Sequence, residues 1–228
     1  MTPSKPPHEI VPALEPGDRL TRDEFERRYN AMPHIKKAEL IEGVVYMPSP
    51  VRLRRHGNPH YRFIGWLNYY SAYTPHLIGG DNATARLDMD NEPQPDGLLL
   101  IDPAFGGQAL ISTDDYVVNG PELVGEISAS TVSFDLHTKL NVYRRNGVRE
   151  YVVWRVKDEE IDWLTQRAGN FERLPVDSAG IIRSEVFPGL WLDVAALVSG
   201  DMPRVFEVLD QGLASPEHEA FVRRLQGK

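Results

Sequence analysis

The sequence predicts an α/β domain: a mixed central sheet flanked by helices, with an antiparallel β extension. Three observations predict it. The stretch 122–154 reads strand, helix, strand, so its two strands are candidates for parallel neighbours joined by a right-handed crossover. The runs "DGLLLI" at 96–101 and "PELVGEIS" at 121–128 are almost continuously apolar, as strands covered on both faces are. Beyond them, "EIDWLTQ", "FERLPV" and "IIRSEVF" have the character of successive antiparallel strands.

The elements follow in order. Residues 1–18 carry five prolines and no periodic pattern, which predicts a flexible N-terminal arm. "TRDEFERRYNAM" begins with Thr21 and has Glu24 three residues later, the spacing of a capping box, and Phe25 and Tyr29 share the face of the helix it opens. "AELIEGVVYMPSP" places Leu40, Val44 and Tyr46 around a Glu42-Gly43 turn, which predicts a hairpin. In "NPHYRFIGWLNYYSAY" Phe63, Trp66, Leu67 and Tyr70 recur at helical steps. Strands are predicted at 83–88, 96–101, 121–128 and 150–156. A helix over 134–146 presents Leu136, Leu140 and Tyr143 on one face and stops at Gly147. Two short helices, 203–212 and 216–226, close the chain. The domain boundaries read from this pattern are a flexible arm at 1–18, a main α/β domain at 19–200 and a helical tail at 201–228.

Composition narrows the function classes. The chain has 228 residues, 41% of them hydrophobic, enough for one sizeable core and short for two. It has no cysteine, which excludes a disulfide scaffold and a thiolate metal site. No apolar run has the length of a membrane helix, and the N-terminus lacks the layout of a signal peptide, so a cytoplasmic protein is expected. The net charge of −8 argues against broad nucleic-acid binding, which needs Lys and Arg against phosphate. Local basic patches remain, "RLRRH" at 52–56 and "YRRNGVR" at 143–149.

Four polar groups stand where local structure does not call for them. Asp96 opens an apolar strand, Glu126 ends another, Lys139 lies near the apolar face of the 134–146 helix, and Glu39 starts the hairpin. Two carboxylates at strand ends can hold a hard divalent cation such as Mg²⁺, with a nearby lysine to offset developing charge. Each residue also has a plain structural reading. An Asp after Pro95 is a common turn residue, and a salt bridge to Lys139 accounts for a buried Glu126 equally well. A lone helical lysine is usually solvated. His56 and His60 have the i, i+4 spacing of helical metal ligands but lack the acidic partner of a zinc-protease motif, which favours capping or surface placement.

Together these pieces resemble the Uma-two family of endonucleases, within the PD-(D/E)XK restriction-nuclease superfamily. The resemblance rests on Glu39 to Gly43, His56, Pro95-Asp96, Pro121 to Glu126, and Asp135, Lys139, Tyr143, Gly147, Val148, Glu150 and Tyr151, and it spans about residues 20–200. It departs from the superfamily at Ser128, where a lysine is usual, and the lysine of this family falls instead at Lys139. It departs from the family at Val152, where a tryptophan is usual, and in a loop after Glu126 one residue shorter than the common form. The resemblance implies a Mg²⁺-dependent DNA endonuclease, with Mn²⁺ as a substitute. Asp96, Glu126 and the Ile127 carbonyl would hold the metal, Lys139 would assist, and Glu39 and His56 would line the opposite wall, with His60 as the alternate for His56. DNA binding is expected to be weak and salt-sensitive, and a homodimer is compatible with cutting duplex DNA. The alternative is a catalytically silent nuclease fold used for binding or assembly, which Ser128 and the net charge favour.

Overall fold

The computed structural model describes residues 11–47 and 50–227. Helix α1 (Arg22–Asn30) leads into a hairpin of β1 (Glu39–Ile41) and β2 (Val44–Tyr46). A π-helical turn, Leu53–Gly57, runs straight into α2 (Asn58–Tyr73). Six strands follow: β3 (Leu77–Gly80), β4 (Ala85–Arg86), β5 (Gly97–Ile101), β6 (Leu110–Ile111), β7 (Val117–Val118) and β8 (Leu123–Ser128). A second π-helical turn, Phe134–Lys139, passes into α3 (Leu140–Arg145). Then come β9 (Glu150–Arg155), β10 (Glu160–Arg167), β11 (Asn170–Arg173), β12 (Ile181–Arg183) and β13 (Trp191–Asp193). Helices α4 (Val194–Ser199), α5 (Met202–Leu213) and α6 (Pro216–Leu225) complete the described chain.

The central sheet has six strands in the order β11-β10-β9-β8-β5-β3. Strands β8 and β9 are parallel, as the strand–helix–strand pattern predicts, and the other neighbours are antiparallel. The sheet is buried on both faces, β5 and β8 at every position, because both runs are apolar but for Glu126 and Ser128 near the end of β8. Odd-numbered residues such as Leu99, Leu123 and Ile127 join one core cluster with α2 and the C-terminal helices. Even-numbered residues such as Leu98, Leu100 and Val124 join a second, with Val142 and Tyr143 of α3. A third, smaller cluster packs α1 against the hairpin. The hairpin turn uses positive φ at both Glu42 (52°) and Gly43 (71°), the geometry that matches strand twist in a two-residue loop.

Two glycines let α2 approach the sheet. Gly97 and Gly125 lie opposite each other in the β5–β8 register. A methyl group on Gly125 would come within 2.3 Å of Phe63 Cζ, and one on Gly97 within 3.0 Å of Phe63 Cε1. Phe63 therefore rests on bare backbone, immediately beside Asp96 and Glu126 in sequence.

Several expectations are corrected. The segment 83–88 forms only the two-residue β4, in a separate three-stranded sheet ordered β4-β7-β6. The partner of β5 is β3, whose "LIGG" is too short and glycine-rich to read as a strand. The segment 181–187 contributes β12, which pairs with β13 rather than with the antiparallel extension of β10 and β11. Thr21 precedes α1 without a side-chain cap, and the Glu24 carboxylate, which a capping box would turn back to the Thr21 N–H, pairs instead with Arg27 and Arg28, each at 2.7 Å. Charged partners one turn away outcompete a main-chain N–H for that carboxylate. Residues 1–10 of the proline-rich arm lie outside the described residues, whereas Leu14 is buried with the hairpin cluster. In the C-terminal segment, Val205, Leu209, Phe221 and Leu225 belong to the same cluster as the α2 face of the sheet.

Candidate active site

The register that sets Gly97 opposite Gly125 sets Asp96 beside Glu126, where β5 begins and β8 nears its end. Their side chains alternate away from the glycine face, toward α3. A cavity of about 1150 Å³ opens there, and Glu39, His56, Asp96, Glu126 and Lys139 all line it. The fold thus gathers five side chains from five segments separated along the chain.

Lys139 is buried, and its Nζ lies 2.9 Å from Oε1 of Glu39 and 2.9 Å from Oε1 of Glu126. Tyr143, one helical turn on, donates from its hydroxyl to the same Glu126 oxygen at 2.8 Å. Glu39 Oε1 also accepts the Gln94 N–H at 2.7 Å. Burial pushes the Glu126 carboxyl up to about 8; Lys139 opposes this, and Asp96, Asp135 and Glu39 add to it. Burial alone would lower the Lys139 ammonium, but Glu126, Glu39 and Asp135 reverse that and raise it. Asp135 is also buried and accepts a hydrogen bond from Thr131 Oγ1 at 2.6 Å, and burial raises its carboxyl.

Asp96 faces a different set of partners. Its Oδ2 accepts the Ile127 N–H at 2.7 Å. Its Oδ1 lies 3.3 Å from His56 Nε2 and 3.7 Å from Lys37 Nζ. The other His56 nitrogen, Nδ1, lies 3.0 Å from the Ile127 carbonyl oxygen. Both partners of this ring are acceptors, so the doubly protonated imidazolium satisfies both. The hydrogen bond to Asp96 raises the His56 pKa against the effect of burial. Burial would raise Asp96, but His56, Lys37 and the Ile127 N–H outweigh it and hold the carboxyl at about 2.

The π-helical turn explains how His56 gets there. The N–H groups of His56 and Gly57 both point at the Arg52 carbonyl, at 3.0 and 3.2 Å, so the widened turn swings His56 inward. His60 sits behind it, with Nε2 2.7 Å from the Asp96 main-chain oxygen and 3.1 Å from Asp81 Oδ1. It is His56, therefore, that reaches the Asp96 carboxylate. Tyr143, Asp135 and Lys37 were not among the residues singled out for the site. Tyr143 and Asp135 had a signal, since each is four residues from Lys139; Lys37 had none.

Among the described residues, no three His, Asp or Glu side chains are grouped as a metal-ligand set. The implied set contains only two carboxylates, with a main-chain carbonyl as the third donor. Among the described residues, no helix is long and apolar enough to cross a membrane.

The mixed six-stranded sheet with helices packed on both faces is a restriction-endonuclease-like α/β fold. The chain belongs to the Uma2 family, described as "Putative restriction endonuclease", whose model matches residues 22–195. The fold is similar to a crystal structure from Anabaena variabilis ATCC 29413 titled as a "putative nuclease belonging to DUF820". That match has a TM-score of 0.58 at 11% identity and covers 75% of this chain and 97% of the other. A search of curated proteins gives no match.

Proposed function

We propose that this protein is a divalent-metal-dependent endonuclease that hydrolyses DNA phosphodiester bonds, with Mg²⁺ as cofactor and Mn²⁺ as a substitute. One observation carries the reading. Asp96 and Glu126 take paired positions where β5 begins and β8 nears its end and line one cavity, and His56 spans from Asp96 Oδ1 to the Ile127 carbonyl oxygen through its two ring nitrogens. These are hard oxygen donors, the kind Mg²⁺ prefers. The surrounding interior is also short of positive charge: Glu39, Asp96, Glu126 and Asp135 are buried, against Lys139 as the one buried ammonium named among the described residues. The donor set fits the ion.

Asp96, Glu126 and the Ile127 carbonyl would hold the metal. When bound, it supplies Lewis acidity toward a phosphoryl group and makes an attacking water more acidic. Lys139 and Tyr143 hold one oxygen of Glu126, which fixes the orientation of that carboxylate. Lys139 also places a positive charge beside the cavity, where charge develops on the phosphoryl oxygens. His56, charged in its present position, can donate a proton or orient a phosphate, and Glu39 keeps Lys139 in place.

A second reading, a catalytically silent nuclease fold used for binding, has its own support. Lys139 is already satisfied by two carboxylates and His56 already spans Asp96 and Ile127, so the site is internally complete. Calorimetric titration with Mn²⁺ separates the two readings. Wild type is expected to bind one ion, and Asp96→Asn to bind at least tenfold more weakly, since it loses an anionic donor. Equal affinity removes the metal assignment. Nicking of supercoiled plasmid by wild type, lost by roughly 10²–10³-fold in Lys139→Ala at a temperature where thermal melts show the variant still folded, supports the enzyme over the silent module.

A further inference from the structure

The edge of the cavity carries a feature that catalysis does not use. Val51 and Leu53 are 66% and 75% exposed, the latter among the most exposed large apolar side chains in the molecule. They are neighbours in space as well as in sequence: a methyl group placed on Gly57 would touch both Leu53 Cδ1 and Val51 Cγ1, at 3.8 and 3.9 Å. The two side chains thus flank Gly57 on one exposed turn, the tip of this edge. Arg52, Arg54 and Arg55 alternate with them and are exposed, and among the described residues no carboxylate pairs with any of the three. Val51, Arg52 and Arg55 line the same cavity as Asp96.

The same π-helical turn carries His56 into the cavity and leaves Leu53 exposed, so the tip adjoins the site. Single exposed apolar residues are ordinary on protein surfaces. Two flanking one glycine on an exposed turn, interleaved in sequence with three exposed arginines, on a chain of net charge −8, are not. The charge complements a polyanion, and the apolar core of the patch complements what a polyanionic surface alone does not offer: stacked bases. Apolar side chains flanked by arginines enter between base steps of duplex DNA and open the stack.

We propose that the Val51–Leu53 tip is a wedge that enters duplex DNA beside the scissile phosphate, while Arg52, Arg54 and Arg55 contact flanking phosphates. The inference rests on the nuclease reading above and adds the form of substrate: a duplex that is locally unstacked at the cut. Such a wedge offsets part of the cost of opening the stack, so the enzyme favours sites that are already weakly stacked or mismatched.

The test uses the full chain and a short duplex carrying 2-aminopurine, with Ca²⁺ present to slow cleavage, read by fluorescence and anisotropy. Wild type is expected to raise 2-aminopurine fluorescence on binding. Val51→Ser with Leu53→Ser should abolish that rise and weaken duplex binding about tenfold. It should leave single-strand binding, salt slope and melting temperature unchanged. Arg54→Gln with Arg55→Gln should instead flatten the log–log salt slope by about 0.9 per lost phosphate contact. Wild-type duplex binding without a fluorescence rise, or undiminished duplex binding by the serine variant, overturns the wedge and leaves the nuclease reading intact if plasmid nicking persists. Absence of both duplex binding and nicking overturns both.

Discussion

Lys139 is held by two carboxylates, and what happens when it is removed follows from that geometry. Lys139→Ala leaves Glu39 and Glu126 facing each other in the interior with no counter-charge. Breaking a buried ion pair from one side costs roughly 3–5 kcal/mol. The variant is expected to unfold at lower urea concentration, and adding Glu39→Gln should recover part of the loss; an unchanged midpoint in the single variant would show that the carboxylates simply take up protons. A second buried carboxylate makes a pH prediction. Glu92 is 3% exposed, and burial together with the neighbouring Glu26 pushes its pKa from 4.5 to about 8. Its folded value is raised, so the protonated form stabilises the fold below 4.5, and this contribution is lost as pH rises through about 8. The steepest slope one such group gives is about 1.4 kcal/mol per pH unit. Glu92→Gln should flatten the alkaline decline in melting temperature, and an identical pH profile for both proteins would contradict the assignment.

At the scale of elements, the contact of α2 with the sheet depends on the absence of two side chains. Gly125→Ala forces Phe63 off the strand, an overpacking that costs about 1–3 kcal/mol. Because α2 carries His60 and continues the turn that bears His56, its displacement also moves the imidazoles relative to Asp96. The expected outcome is a lower melting temperature together with weaker Mn²⁺ binding, although the atoms nearest the added methyl group are all those of Phe63. Pairing Gly125→Ala with Phe63→Leu should restore part of both. If the single variant melts like wild type, β8 can shift without strain. Glu150 illustrates the opposite case, a polar residue that organises an element from within. Its carboxylate accepts from Trp163 Nε1, Ser184 Oγ and the N–H groups of Glu185 and Val186, so it fastens β9 and β10 to the loop before β13.

For the whole molecule, the C-terminal helices are part of the main core. Tyr70 of α2 donates to the Pro188 carbonyl and Trp66 to that of Trp191, while Val205, Leu209 and Phe221 close the same apolar cluster. Deletion of 201–228 exposes that face, and the shortened chain is expected to lose cooperative unfolding and to aggregate. Circular dichroism melts of the two forms decide it; a sharp transition in the deletion would make the segment dispensable.

How much of this was legible depends on distance along the chain. Glu126 stood out because a carboxylate in an apolar run needs a reason, and Lys139 because a lysine on a buried helix face needs an anion; both signals are local. The parallel pairing of β8 with β9 was legible because a single short crossover joins them. The pairing of β5 with β3 was not, since Leu77–Gly80 lacks strand length and its register is set by contacts across the sheet. The capping box had the right spacing, but Thr21 makes no side-chain cap and the Glu24 carboxylate turns to Arg27 and Arg28 one turn on, a competition the spacing alone does not reveal.

By itself, then, the sequence determined the apolar strands, the helix between β8 and β9, and the carboxylates at their ends, because alternation, helical period and burial cost act over a few residues. Only the tertiary structure decided the strand order, the seat of Phe63 on bare backbone, and the position of His56 across Asp96 and Ile127. That last contact joins residues 71 apart in sequence, and such contacts depend on the packing of complete elements, which no local pattern encodes.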